Sequence, residues 1–125
     1  MNAPDTECPF CNVRAPILAD ELAFVIYDKY PVSPGHALIV PRRHIESFFD
    51  ATPYEFIAMF ALLNAMRRRT DAKLAPDGYN IGVNVGEAAG QTVHHLHMHL
   101  IPRFHGDMQN PRGGVRGVIP ARQSY

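Results

Sequence analysis

Between His94 and Arg103 the chain reads HHLHMHLIPR, which places four of its seven histidines within six residues. His95, His97 and His99 recur at every second position, and Leu96, Met98 and Leu100 fill the alternate ones. An extended strand turns that order into two faces, because its successive side chains point to opposite sides. The spacing therefore predicts a strand with three imidazoles on one face, about 6–7 Å apart, and an apolar stripe on the other. A low-complexity histidine tract has no such second face. His94 alone falls out of phase, and Pro102 is the expected end of the strand.

Three other segments frame this one. LAFVIY (22–27) and HALIV (36–40) read as strands joined by the turn-rich KYPVSPG, and YNIGVNV (79–85) alternates as a third. A helix begins after Thr52, a suitable N-cap, with Pro53 in the first position and Glu55 completing a capping box. Phe56, Met59, Phe60, Leu63 and Met66 mark its expected apolar face. Arg67, Arg68 and Arg69 read as solvated cations that complement the helix dipole, in preference to a phosphate site. The glycine-bearing loop GEAAGQ leads into the histidine strand, and the glycine-, proline- and arginine-rich end of the chain reads as a surface extension.

A chain of 125 residues supports one core without disulfide staples. Twelve Lys+Arg balance twelve Asp+Glu, so no overall charge recruits nucleic acid or an anionic membrane. MNAPDTECPFC lacks the basic start and apolar core of a signal peptide, and the longest apolar run, FIAMFALL, is too short to span a bilayer. A cytoplasmic location is the expectation.

Cys8 and Cys11 form a CxxC pair ahead of any predicted strand, which favours a metal half-site over a redox pair. A closed structural zinc shell needs two more ligands, and histidine is the natural donor. His44 and one member of the histidine row can supply them, although spacing does not say which member. For the remaining histidines a catalytic metal is the weaker reading, because neither Asp nor Glu occurs between Gly90 and Phe104. Imidazole, with an ordinary pKa of about 6.5, is largely neutral at pH 7 and can act as a nucleophile without a separate base.

GQTVHHLHMHLIPR resembles the signature of the histidine-triad (HIT) superfamily. YDKYPVSPGHALIVPRRHI is similar to that family's first block and GYNIGVNVGEAAGQ to its loop before the triad, so the likeness covers roughly Cys8 to Gly106. The resemblance implies an α+β fold, a mainly antiparallel sheet with one long helix packed on it, with a HIT domain over 1–106, an extension over 107–125, and a homodimer. It implies that His97 attacks the α-phosphorus of a nucleotide to form a nucleotidyl-histidine intermediate, flanked by His99 and His36. It further implies that Asp28 binds ribose hydroxyls, that Asn84, Gln91 and Thr92 surround the phosphate, and that Cys8, Cys11, His44 and His95 bind zinc. Without it, Asp28 reads equally as a turn cap, and Asn84 and Gln91 as partners of loop backbone. The implied activity is hydrolysis of a dinucleoside polyphosphate or related nucleotide, the alternatives being a nucleoside phosphoramidase or a nucleotide-binding protein without turnover. The end of the chain departs from the best-known phosphoramidases, which bears on the leaving group.

Overall fold

In the computed structural model, residues 7–125 are described, and residues 1–6 of the expected 1–106 domain lie outside the described residues. The apolar runs become β1 (Leu18–Ala19), β2 (Ala23–Tyr27), β3 (Ala37–Pro41), β4 (Gly78–Val83) and β5 (Met98–Arg103). They form one sheet in the order β1-β2-β3-β5-β4, every pairing antiparallel. Alternation sorts the side chains. Val25, Ala37, Ile39 and Leu100 face the single long helix, α1 (Pro53–Leu74), while Phe24, Leu38 and Val40 pack on the opposite face with Phe10, Val13 and Ile26. The architecture is the expected α+β one.

The predicted start of α1 holds in detail. The Thr52 hydroxyl accepts from the Glu55 N–H at 3.2 Å, and the Glu55 carboxylate accepts from the Thr52 N–H at 2.9 Å. Arg43 adds a two-pronged contact, donating to Glu55 from Nε at 3.2 Å and Nη2 at 2.8 Å. Glu55 is buried, and the Arg43 guanidinium holds its carboxyl below the usual range. The apolar face is rotated from the expected one: Met59, Leu62, Leu63 and Met66 are buried, whereas Phe60 is 64% exposed. Each fully buried aliphatic side chain contributes about 1.5–3 kcal/mol. Arg67, Arg68 and Arg69 are exposed, Arg67 pairing with Asp71 at 3.1 Å, as the solvated reading requires.

The histidine strand needs correction. β5 begins at Met98, so His99 alone of the three lies on a strand, and His95 and His97 precede it in an irregular segment. The reason is a competing set of bonds: the Leu96 N–H donates to Ile45 O at 2.7 Å and the His95 ring to Pro41 O at 2.7 Å, drawing this stretch to the end of β3 and the loop beyond. Leu96 still enters the helix-side core with Met98 and Leu100, so the two-faced order survives without a ladder. The strand also runs past Pro102 to Arg103. β3 begins at Ala37, opposite Leu100, so Pro102 owes that neighbour no N–H, and its carbonyl accepts from the Ser33 hydroxyl at 2.6 Å. The expected YNIGVNV strand stops at Val83.

Gly35 sets the start of β3. Its φ of 84° suits glycine, and a β-carbon there would stand 2.7 Å from Leu74 Cδ1. The extension winds into short 3-10 turns at Gly114–Val118 and Pro120–Arg122. Among the described residues no helix is long and apolar enough to cross a membrane. Thr52→Ala should cost about 1 kcal/mol. Glu55→Ala should cost about 2–3 kcal/mol, since it also strands Arg43. Urea unfolding of both variants checks the order.

Candidate functional site

The two cysteines enter on a turn closed by the Cys11 N–H on Cys8 O at 3.2 Å, and Asn12 Nδ2 donates to the same carbonyl at 2.8 Å. His44 comes from the loop after β3 and His95 from the irregular segment before β5. Their donor atoms all lie within 4.8 Å of one another. His95 Nδ1 is 3.5 Å from Cys8 Sγ, 3.6 Å from Cys11 Sγ and 3.2 Å from His44 Nδ1, and Cys11 Sγ is 3.1 Å from His44 Nδ1. A tetrahedral zinc with ordinary bond lengths has N···N edges of about 3.4 Å and S···N edges of about 3.6 Å. The donor set fits that ion. The His95 ring donates its Nε2–H to Pro41 O, which leaves Nδ1 as the lone pair facing the sulfurs. Burial lowers the His95 pKa and pushes the Cys8 thiol up, so the ring is neutral and the thiol is one that a bound cation would deprotonate.

His97 presents the other nitrogen. Its Nδ1–H donates to the His95 carbonyl at 2.8 Å, so in the neutral ring Nε2 carries the lone pair. It stands outside the four-residue cluster, with its ring 5.2 Å from that of His99 and 5.0 Å from that of Phe10. His99 and His36 pair at 2.9 Å, from Nδ1 to Nε2. The Val32 N–H donates to His36 Nδ1 at 3.0 Å, so His36 Nε2 carries the proton and donates to His99. Burial lowers the His36 pKa against the opposing charge of Asp28. Burial, with repulsion from His97 and His36, lowers that of His99 to about 4. The pair is thus neutral at pH 7, with the His36 Nε2–H donated to His99 Nδ1 and the remaining ring N–H of the pair on His99 Nε2.

Asp28 does two things. Its Oδ1 accepts from the Tyr30 N–H at 2.8 Å, which is the turn cap, and its Oδ2 lies 3.4 Å from His36 Nε2 and 3.9 Å from His99 Nδ1. Asn84 and His99 share a cavity of about 380 Å³ with His36, walled by Val32, Ile81, Ile101, Val115 and Val118. No lysine or arginine lines it. Asp28, Gln91, Thr92 and His97 are not among its lining residues. The buried Gln91 amide accepts from the Gly86 N–H at 2.9 Å and donates to Glu46 O at 2.8 Å and Val93 O at 3.2 Å, so both its N–H groups are spent on loop backbone. Thr92 is exposed. The arginines of the extension hold their own segment: Arg112 and Arg116 each stack 4.9 Å from the Tyr125 ring, and Arg116 donates to the carbonyls of Arg122 and Gln123. Sequence reasoning missed Phe10, whose signal was its place inside CPFC, and missed the valines of the extension, which carried no local signal.

The folded His99 ring takes its proton near pH 4, against 6.5 for an ordinary histidine. Between those values the unfolded chain binds the extra proton, so this contribution to stability is complete above about pH 6.5 and declines as pH falls toward 4. His99→Gln should flatten part of the decline in urea midpoint between pH 7 and 5; an unchanged slope contradicts a neutral buried ring.

The model of the HIT domain matches residues 13–106. An uncharacterized HIT-like protein of Saccharolobus solfataricus is 34% identical over 94% of this chain and 89% of its own length. A protein of Mycobacterium tuberculosis named AP-4-A phosphorylase is 33% identical over 79% of this chain, which spans 55% of that protein. Among solved structures, a Zn-bound histidine triad family protein from Mycobacterium smegmatis superposes with a TM-score of 0.74 at 35% identity, covering 83% of this chain and 80% of that one. A domain match over most of the sequence, in agreement with these identities, makes this chain a member of the HIT family.

Proposed function

We propose that the protein is a nucleotide hydrolase that transfers a nucleotidyl group first to His97 Nε2 and then to water. The Nε2 lone pair attacks the α-phosphorus, and a P–N bond forms as the bond to the leaving group breaks. Water then attacks the same phosphorus, the P–N bond breaks, and a nucleoside monophosphate departs. One observation carries this reading: the Nδ1–H bond to the His95 carbonyl fixes the tautomer that puts the lone pair on Nε2, outside the metal cluster. His36 and His99 orient the site as a neutral hydrogen-bonded pair. Asp28 accepts ribose hydroxyls at Oδ2, Asn84 and Thr92 donate to phosphate oxygens, and Gln91 serves by holding the loop ahead of the triad.

Two leaving groups remain in view. The relative named AP-4-A phosphorylase supports a dinucleoside polyphosphate. The aliphatic cavity wall, without lysine or arginine, favours the amine of a nucleoside phosphoramidate as the leaving group, since a polyphosphate chain needs cations. The protein works in the cytoplasm as a homodimer. The edge strand β4, with Ile81 48% exposed, supports assembly there, as does Phe60, two turns before the Arg67 whose carbonyl accepts from Tyr79 of that strand.

Cys8, Cys11, His44 and His95 hold one structural zinc, which ties the N-terminal turn to the sheet and supplies no nucleophile. Metal analysis should return one zinc per chain, and chelation should lower the melting temperature; a melting curve indifferent to chelator ends the structural role. His97→Ala should lower kcat by about a thousandfold or more with an unchanged melting temperature. Assayed side by side on a dinucleoside polyphosphate and a nucleoside phosphoramidate, the wild type reports the leaving group. Undiminished turnover of both by His97→Ala ends the proposal.

A further inference from the structure

The CPFC turn delivers more than two sulfurs. Between them sits Phe10, whose ring meets the His97 ring edge-on at 5.0 Å and 62°, and the His95 ring at 5.9 Å and 90°. The body of Phe10 packs on Phe24, Leu38 and Val40, the sheet face opposite α1. His97 is therefore held on three sides: by the His95 carbonyl through Nδ1–H, by the His99 ring, and by Phe10. Two of those three restraints come from residues that the four-ligand cluster fixes, namely His95 itself and the residue enclosed by Cys8 and Cys11.

We infer that Phe10 is a positioning residue through which the metal aims His97. This rests on the proposed roles of His97 and of zinc. A bound ion clamps both ends of a four-residue turn, so Phe10 can move little relative to the sheet. Without the ion, the turn keeps its two hydrogen bonds to Cys8 O and the burial of Cys8, and Phe10 gains freedom. The His97 ring can then tilt about its single hydrogen bond. In-line attack is sensitive to such tilts, an error of about 1 Å costing on the order of a hundredfold in rate. Zinc thus influences the chemical step without touching the substrate.

The test compares Phe10→Ala, Phe10→Leu and Phe10→Tyr with the wild type, each checked for zinc content and melting temperature. At full zinc occupancy, Phe10→Ala should lower kcat about tenfold or more with KM within about twofold, and Phe10→Tyr, which keeps the ring edge, should recover most of the rate. Phe10→Leu gives an intermediate rate and covers the case in which the alanine variant does not fold. The second readout is the ¹⁵N imidazole spectrum of His97 at fixed pH. Stripping zinc from the wild type should shift or broaden it as Phe10→Ala does, and stripping Phe10→Ala should add little. An unchanged kcat in zinc-loaded Phe10→Ala overturns the inference. So does a loss confined to KM, which makes Phe10 a substrate contact, or a His97 signal that answers zinc removal equally without Phe10. Failure of the underlying reading looks different: His97→Ala stays active, or the wild type contains no zinc.

Discussion

Two backbone carbonyls divide the labour among the histidines. Pro41 O takes the Nε2–H of His95, and His95 O takes the Nδ1–H of His97. A neutral imidazole has one donor and one acceptor, so committing opposite donors leaves opposite acceptors: Nδ1 on His95, directed at the sulfurs, and Nε2 on His97. Residues of identical chemistry two positions apart thereby present different lone pairs. Were the same nitrogen donated in both, His97 would keep its lone pair on Nδ1 instead.

That division depends on the irregular segment before β5. A regular strand through His95 would direct its backbone into the ladder with β3. Instead the Leu96 N–H goes to Ile45 O, and the His95 ring reaches the end of β3. The path brings Cys8, Cys11, His44 and His95 together from three chain segments far apart in sequence, and the helix-side core secures it through Leu96. Arg43, next to His44, is tied to the buried Glu55 and to Asp50 O, which anchors the loop carrying His44 to the start of α1.

What the sequence made legible follows the range of the forces involved. The capping box at Thr52 and Glu55 is a local hydrogen-bond pattern, and it forms as read. Apolar runs located β2 and β3, and alternation located β4, each within a residue or two, because a sheet buried on one or both faces demands such patterns. Where partners distant in sequence decide, the reading slipped. The three histidines looked like a strand, yet two of them answer to Pro41 and Ile45. Phe60 has the period of the core and is turned outward, while Leu62 takes the inner position. Gln91 read as a phosphate ligand by resemblance, but the loop backbone claims both its N–H groups, which was the bland alternative. The hydrophobic wall from the extension was invisible, since Val115 and Val118 sit in a glycine-rich stretch with no periodicity.

Asp28, His36 and His99 also bring one carboxylate and two ring nitrogens close together, a grouping that resembles a metal site by composition. Hydrogen-bond bookkeeping argues otherwise. A metal-bound imidazole offers a lone pair to the ion and donates its other N–H to a protein acceptor. At His36 that order is reversed: Nδ1 receives the Val32 N–H, so the proton must sit on Nε2, the atom that faces Asp28 and His99. Coordination through Nε2 would require an imidazolate. The Cys8, Cys11, His44 and His95 group meets the opposite condition, its His95 donating to a carbonyl on the side away from the sulfurs. The same criterion therefore separates a cluster whose lone pairs suit a cation from one that passes a hydrogen bond from His36 to His99, although both gather similar residues within a similar radius.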